Sequence, residues 1–181
     1  MRHFTISELE AGIDRIIEAP ADFGVLSLIV RRPSEGEREV LEVGQLDLAE
    51  GLLGDSWKLR TPTVEGGRDP YNQINAMSAR AISLIAGEPE QWPLAGDQLY
   101  LDFDISADNV PTGSRIALGE TVIEVSAMPH TGCQKFSQRF GVDALRFVNS
   151  EAGRKLRLRG FNARVIVPGT IRTGDAVRKL A

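Results

Sequence analysis

Residues 99–126 read LYLDFDISADNVPTGSRIALGETVIEVS. Three short apolar runs lie in this stretch, at 99–103, 115–118 and 121–126. Turn chemistry at Gly113 and at Gly119-Glu120 separates them, as hairpin-like connections require. The same rhythm continues outward. Downstream, 163–167 and 176–180 read as closing strands set apart by Pro168-Gly169 and by Thr173-Gly174-Asp175. Upstream, 25–30 is a buried strand by length and β-branched content, and Arg31-Arg32-Pro33 stops it. Residues 40–43 continue the β pattern. Many short strands with few helices predict a mainly β fold with short helices, as a β-barrel or an open sheet curled on itself.

The helical signals are brief. Ile6, Leu9, Ile13, Ile16 and Ile17 fall near one face over 6–18, and Ser7 with Glu10 offers a capping box. Pro20 ends this segment. Residues 1–24 are therefore expected as an N-terminal helical extension, packed on the main domain or against a second copy in a homodimer. Residues 25–181 are expected as the barrel domain. A helix over 78–86 is capped by Ser78 and closed by Gly87 and Pro89. Leu145 and Val148 give 142–148 helical spacing, and 59–69 reads as a loop.

The 181 residues suit one domain with a small appendage, and 42% hydrophobic with 25% charged residues is ordinary for a globular protein. A single cysteine argues against a disulfide-stapled secreted fold and suits a reducing cytosol. No apolar run approaches the roughly 20 residues that span a bilayer, and residues 1–10 do not form a secretory signal. A cytoplasmic protein without membrane contact is expected. The net charge of −4 hides a division: residues 130–181 hold 11 Lys or Arg against 3 Asp or Glu, and residues 1–129 hold 10 against 22. A net +8 segment on a −12 remainder points to a local anion site. The chain lacks the aromatic platform and groove-reading motifs of nucleic-acid binders, which argues against that partner.

Cys133, the lone cysteine, lies in Pro129-His130-Thr131-Gly132-Cys133-Gln134-Lys135-Phe136. Such a residue is either a small buried apolar group or a nucleophile, sulfur carrier or metal ligand. His130 and Lys135 can favour thiolate, and a soft thiolate suits molybdenum or copper. Gly132 leaves room beside the sulfur. His130 can orient or deprotonate the thiol, or simply hold the loop. Arg157, Arg159 and Arg164, in a segment read as extended with Arg157 and Arg159 on one side, could cradle a phosphorylated ligand through their guanidinium forks. Asp97, Asp102, Asp104 and Asp108 read as solvated turn and strand residues, and Asp55 as a turn former.

Taken in order, Gly51-Leu52-Leu53-Gly54-Asp55, Gly96-Asp97-Gln98-Leu99, Thr131-Gly132-Cys133 with Lys135-Phe136, Arg139-Phe140-Gly141, Leu158-Arg159-Gly160, Asn162-Ala163-Arg164 and Pro168-Gly169 resemble the MOSC domain. This is the C-terminal domain of molybdenum cofactor sulfurases, which also occurs as small stand-alone bacterial proteins. The resemblance implies a MOSC-type β-barrel with Cys133 as molybdenum ligand and catalytic thiol, assisted by His130. It implies molybdenum cofactor (molybdopterin); by their chemistry Lys135, Arg139, Arg159 and Arg164 are expected toward its phosphate, with Asn162 as a further cofactor-binding residue. It implies reduction of a small N-hydroxylated substrate with electrons from an external reductase. The alternative is a sulfur carrier charged by a cysteine desulfurase through a Cys133 persulfide. A third reading is a non-catalytic anion-binding module. The desulfurase domain of full sulfurases lies outside this chain, so pyridoxal phosphate is not expected here.

Overall fold

The computed structural model describes residues 2–60, 64, 65 and 67–180. The loop expected at 59–69 lies partly outside the described residues. A closed seven-stranded barrel forms the body of the molecule. Its strands are β1 (Phe23–Arg31), β5 (Ile74–Ser78), β6 (Leu99–Asp102), β7 (Arg115–Leu118), β8 (Thr121–Val125), β9 (Phe161–Val167) and β11 (Ala176–Lys179). Around the barrel they run β1-β6-β5-β9-β8-β7-β11, and β11 returns to β1 at Phe23–Val25. Only the β5–β6 pair is parallel among these, as its helical crossover allows. The other end of β1 pairs with β2 (Glu39–Leu41). A smaller sheet is made by β3 (Val43–Asp47), β4 (Gly51–Leu52) and β10 (Gly169–Arg172). The predicted turn at Pro168-Gly169 is thus immediately the start of a strand: Gly169 pairs with Leu46.

Alternation along the strands makes two cores. Ile74, Ala76, Leu99, Leu101, Ile123, Val125, Ala163 and Val165 point into the barrel. Met77 and Tyr100 point out and are covered by helices. These are α1 (Ile6–Ala11), α2 (Asp14–Ile17), α3 (Ala79–Ala86), α4 (Gln134–Phe140), α5 (Val142–Asn149) and α6 (Glu151–Lys155). Leu9 and Ile16 of the N-terminal helices lie in this second core with Phe136, Phe140 and Phe147, so α1 and α2 pack on the barrel's helical layer, while Phe23 and Gly24 already belong to β1. The capping box sits earlier than Ser7. Thr5 Oγ1 accepts from Glu8 N, and Glu8 Oε2 accepts from Thr5 N at 2.8 Å. The predicted continuous helix over 6–18 is also two short ones, broken at Gly12 and Ile13. Ser78 caps α3 and Gly87 ends it, as the sequence predicts.

Residues 157–160 are not extended. Arg157 has φ 49° in a turn after α6, so the strand alternation read for Arg157 and Arg159 does not apply. Gly160 completes this turn at φ 95°, where a Cβ would meet Ala76 O at 2.1 Å. Only glycine lets the chain pass that close to β5 and deliver Arg159 to the end of the barrel.

Candidate functional site

The loop from β8 to α4 carries the chemistry, and three anchors hold it. Asn162 on β9 donates its Nδ2 to Met128 O and Pro129 O at 3.1 and 3.2 Å. His130 Nε2 meets Asp97 Oδ1 at 2.7 Å. Asn149 on α5 takes Gly132 N on its Oδ1 and donates to Gly132 O, at 3.0 and 3.1 Å. The next residue, Cys133, is exposed and makes no capping bond. The loop is tied down up to the sulfur and the sulfur is left accessible.

Cys133 borders a cleft of about 750 Å³, within the size range of small-molecule sites. Arg32, Arg38, Arg60, Arg139 and Arg159 line it with Lys135, against Glu35 as the one carboxylate among the lining residues. Lys135 Nζ is held by Glu35 at 2.5 Å, with both side chains exposed.

Beneath the cleft lies a buried polar network. Arg32, at the end of β1, grips Asp55 with Nε and Nη2 at 2.8 and 2.9 Å. Its Nη1 reaches Asn75 Oδ1 and Gly96 O. Asn75 donates to Asn162 Oδ1 at 2.6 Å, which links this network to the thiol loop. Asp97 is fully buried and also takes Arg159 Nη1 on Oδ2 at 2.5 Å, while Arg159 Nη2 reaches Ala95 O. Arg159 lies over the Phe136 ring, 5.1 Å from its centroid.

The charges strain against one another. Burial first, then the charges of Arg139 and Arg32, pull the Arg38 guanidinium below its ordinary pKa. Arg60 is lowered in the same way, by desolvation and then by Arg32, although its side chain opens at the mouth. The arginines that share this cleft give it a positive potential. Burial pushes Asp97 up, but Arg159 and His130 outweigh it and hold the carboxyl below its ordinary value. Burial and the charge of Arg159 push His130 down, against the pull of Asp97. A neutral His130 facing an ionised Asp97 carries its proton on Nε2, which leaves Nδ1 as an acceptor.

This sets a pH dependence. A histidine whose folded pKa is depressed is neutral in the fold and charges first in the unfolded chain. Its contribution is fully present above 6.5 and is lost as pH falls below that value. Asp97 adds a loss of the same sign below 3.8. The urea midpoint is therefore expected to fall between pH 7 and pH 5, and His130→Gln to flatten that fall. A midpoint that rises on acidification would contradict the assignment.

Of the residues singled out from sequence, Cys133, His130, Lys135, Arg139 and Arg159 all line this cleft. His130 bonds Asp97, not the thiol. Gly132 faces α5, where a Cβ would strike Leu145 and Val148; its lack of a side chain serves packing and not access to the sulfur. Asn162 stands behind the cleft as a loop anchor. Arg164 is elsewhere: on β9 it lies opposite Glu124 of β8, bonds that carboxylate at 2.7 Å and covers Tyr71. Asp97 is buried and not solvated, and Asp55 both starts the turn at Ser56–Leu59 and neutralises Arg32. Arg38 and Arg60 went unnoticed in the sequence, where Arg32 reads only as part of a strand stop. One signal existed for Arg32: it continues the Leu28, Val30 alternation on the helix-covered face of β1, where a buried charge demands a partner.

The barrel thus presents an exposed thiol and five arginines in one cleft. The MOSC domain model matches residues 65–178, and the chain belongs to the MOSC domain family, whose domains are associated with the molybdenum cofactor. The YUAD protein from Bacillus subtilis has a similar structure, with TM-score 0.65 at 16% identity over 86% of this chain and 94% of that one. YiiM from Escherichia coli gives 0.55 at 20% identity over 87% and 70%. YiiM from Geobacillus stearothermophilus gives 0.58 at 16% over 88% and 75%. These likenesses establish a shared fold. No curated protein matches the chain by sequence. Among the described residues no helix is long and apolar enough to cross a membrane.

Proposed function

We propose that this protein binds molybdenum cofactor in the thiol cleft, with Cys133 as the metal's protein ligand and Arg38, Arg60 and Arg139 toward the pterin phosphate. The observation that carries this reading is the convergence of five arginines on a cleft whose rim holds an exposed sulfur. The donor set fits. Among the described residues no group of three or more His, Cys, Asp and Glu could hold a bare metal ion. A single soft thiolate suits a metal that arrives in an organic carrier, and the arginines suit that carrier's phosphate. When bound, the cofactor supplies two-electron redox chemistry, used here on a small N-hydroxylated substrate with an external reductase as donor. The chain's own residues neutralise phosphate charge, present the sulfur on a loop fixed by Asn162, Asp97 and Asn149, and offer His130 Nδ1 as an acceptor. Arg32 and Arg159 stay committed to Asp55 and Asp97 and shape the floor.

Cys133→Ser tests the ligand assignment. Expressed in cells that make the cofactor, this variant is expected to lose at least about tenfold of its bound molybdenum, because a hydroxyl is a poor soft-metal ligand. Undiminished molybdenum would remove Cys133 from the site.

The exposure of the sulfur also favours a second reading, a carrier that accepts sulfur from a cysteine desulfurase as a Cys133 persulfide. Intact-mass measurement after incubation with a desulfurase and cysteine decides it: a gain of one sulfur, lost on adding reductant, supports the carrier, and an unchanged mass rejects it.

A further inference from the structure

Behind the thiol loop lies another pocket, of about 490 Å³. His130 and Arg159 belong to both cavities and form the wall between them. Cys133 borders only the first. The rear pocket has the composition of a ligand site. Met128, Pro129, Val148 and Phe161 give it apolar walls, and no carboxylate is among its lining residues. Arg154 and Arg157 line it as well. Arg157 donates Nη1 to Val110 O.

Two of the lining residues each carry a buried polar side-chain atom with no partner among the described residues: Ser126 Oγ and Arg159 Nε. Their residues are 6% and 7% exposed. An orphaned buried donor is unfavourable, and native structures rarely keep one without a reason. Arg159 Nε can only donate, and the Ser126 hydroxyl can rotate to donate. Two unused donors, two further cations and apolar walls describe a receptor for an acceptor-rich head on an apolar body.

We infer that the rear pocket is a second ligand site, which takes a small organic carboxylate with its head at Ser126 and Arg159 and its body against Met128, Val148 and Phe161. The site shares the His130 and Arg159 wall with the thiol cleft, and it does not depend on the cofactor reading. A carboxylate gains over its neutral amide because both donors and both cations favour negative charge.

The test uses the full chain, labelled with ¹⁵N, and titrates benzoate against benzamide at neutral pH. Benzoate is expected to shift the backbone amides of 126–131 and 153–160 saturably. Benzamide should bind at least about tenfold more weakly. Ser126→Ala with Arg154→Gln should weaken benzoate by about the same factor. Arg154 is exposed and the serine change is small, so the fold is preserved, and the amide spectrum of the variant checks this. Arg38→Gln with Arg60→Gln should leave benzoate binding at the rear pocket unaltered. The inference is overturned by an absence of saturable shifts, by equal affinity for benzamide, by shifts confined to the thiol cleft, or by unchanged binding in the Ser126/Arg154 variant. Molybdenum content plays no part in this readout, so the two readings fail separately.

Discussion

Asp97→Ala is expected to destabilise the protein by about 3–5 kcal/mol, the usual cost of breaking a buried charge pair from one side. Asp97 is fully buried and is the acidic partner of Arg159 and His130 together. Without it the Arg159 guanidinium keeps Ala95 O and the Phe136 face but loses its counter-charge. For a chain of this size the melting temperature should drop by on the order of 10 °C. Asp97→Asn should cost less, since an amide oxygen can still accept one of the two bonds. Asp97→Ala combined with Arg159→Met should recover part of the loss by removing the stranded charge. Urea unfolding measures all three. A loss below about 1 kcal/mol for the alanine variant would mean that the wall between the two cavities does not rest on this cluster.

Removing the two strained cations should have the opposite balance, costing ligand and not fold. Burial lowers both Arg38 and Arg60, and the neighbouring charges of Arg139 and Arg32 on Arg38 and of Arg32 on Arg60 add to it, so Arg38→Gln with Arg60→Gln removes that cost from the free protein. The bound state loses two charge-assisted hydrogen-bond donors, each worth about 1.5–3 kcal/mol. Inorganic phosphate, titrated calorimetrically into the thiol cleft, is expected to bind at least about 100-fold more weakly to the double variant, with a melting temperature equal to or above that of the wild type. Affinity that survives the double change would place the phosphate elsewhere. Added salt should weaken the wild-type affinity, because the mouth of the cleft is open to solvent.

The barrel was legible because its strands obey period two and are punctuated by glycine turns: 115–118 and 121–126 match β7 and β8 to within a residue. The small sheet was not. β10 and β4 are too short to show a period, and their pairing with β3 is a long-range event. α4 was missed because its seven residues include Lys, Gln and Arg around only two buried phenylalanines. At the site, the thiol and the downstream cations could be picked out by type. The pairing of each cation could not. Arg159 and Arg164 look equivalent in sequence, yet Gly160 turns one toward Asp97 while strand register sets the other opposite Glu124. Asp97 seemed solvated because a carboxylate after glycine usually is. Its partners are 33 and 62 residues away, beyond any local signal.

The account rests on the arginine cleft holding a phosphate-bearing molybdenum carrier against Cys133. Elemental analysis of wild-type protein, freshly purified from cells that make the cofactor, reads this directly. Molybdenum and phosphorus are expected together, each in an amount comparable to the protein. Protein that contains neither element contradicts the proposed cofactor.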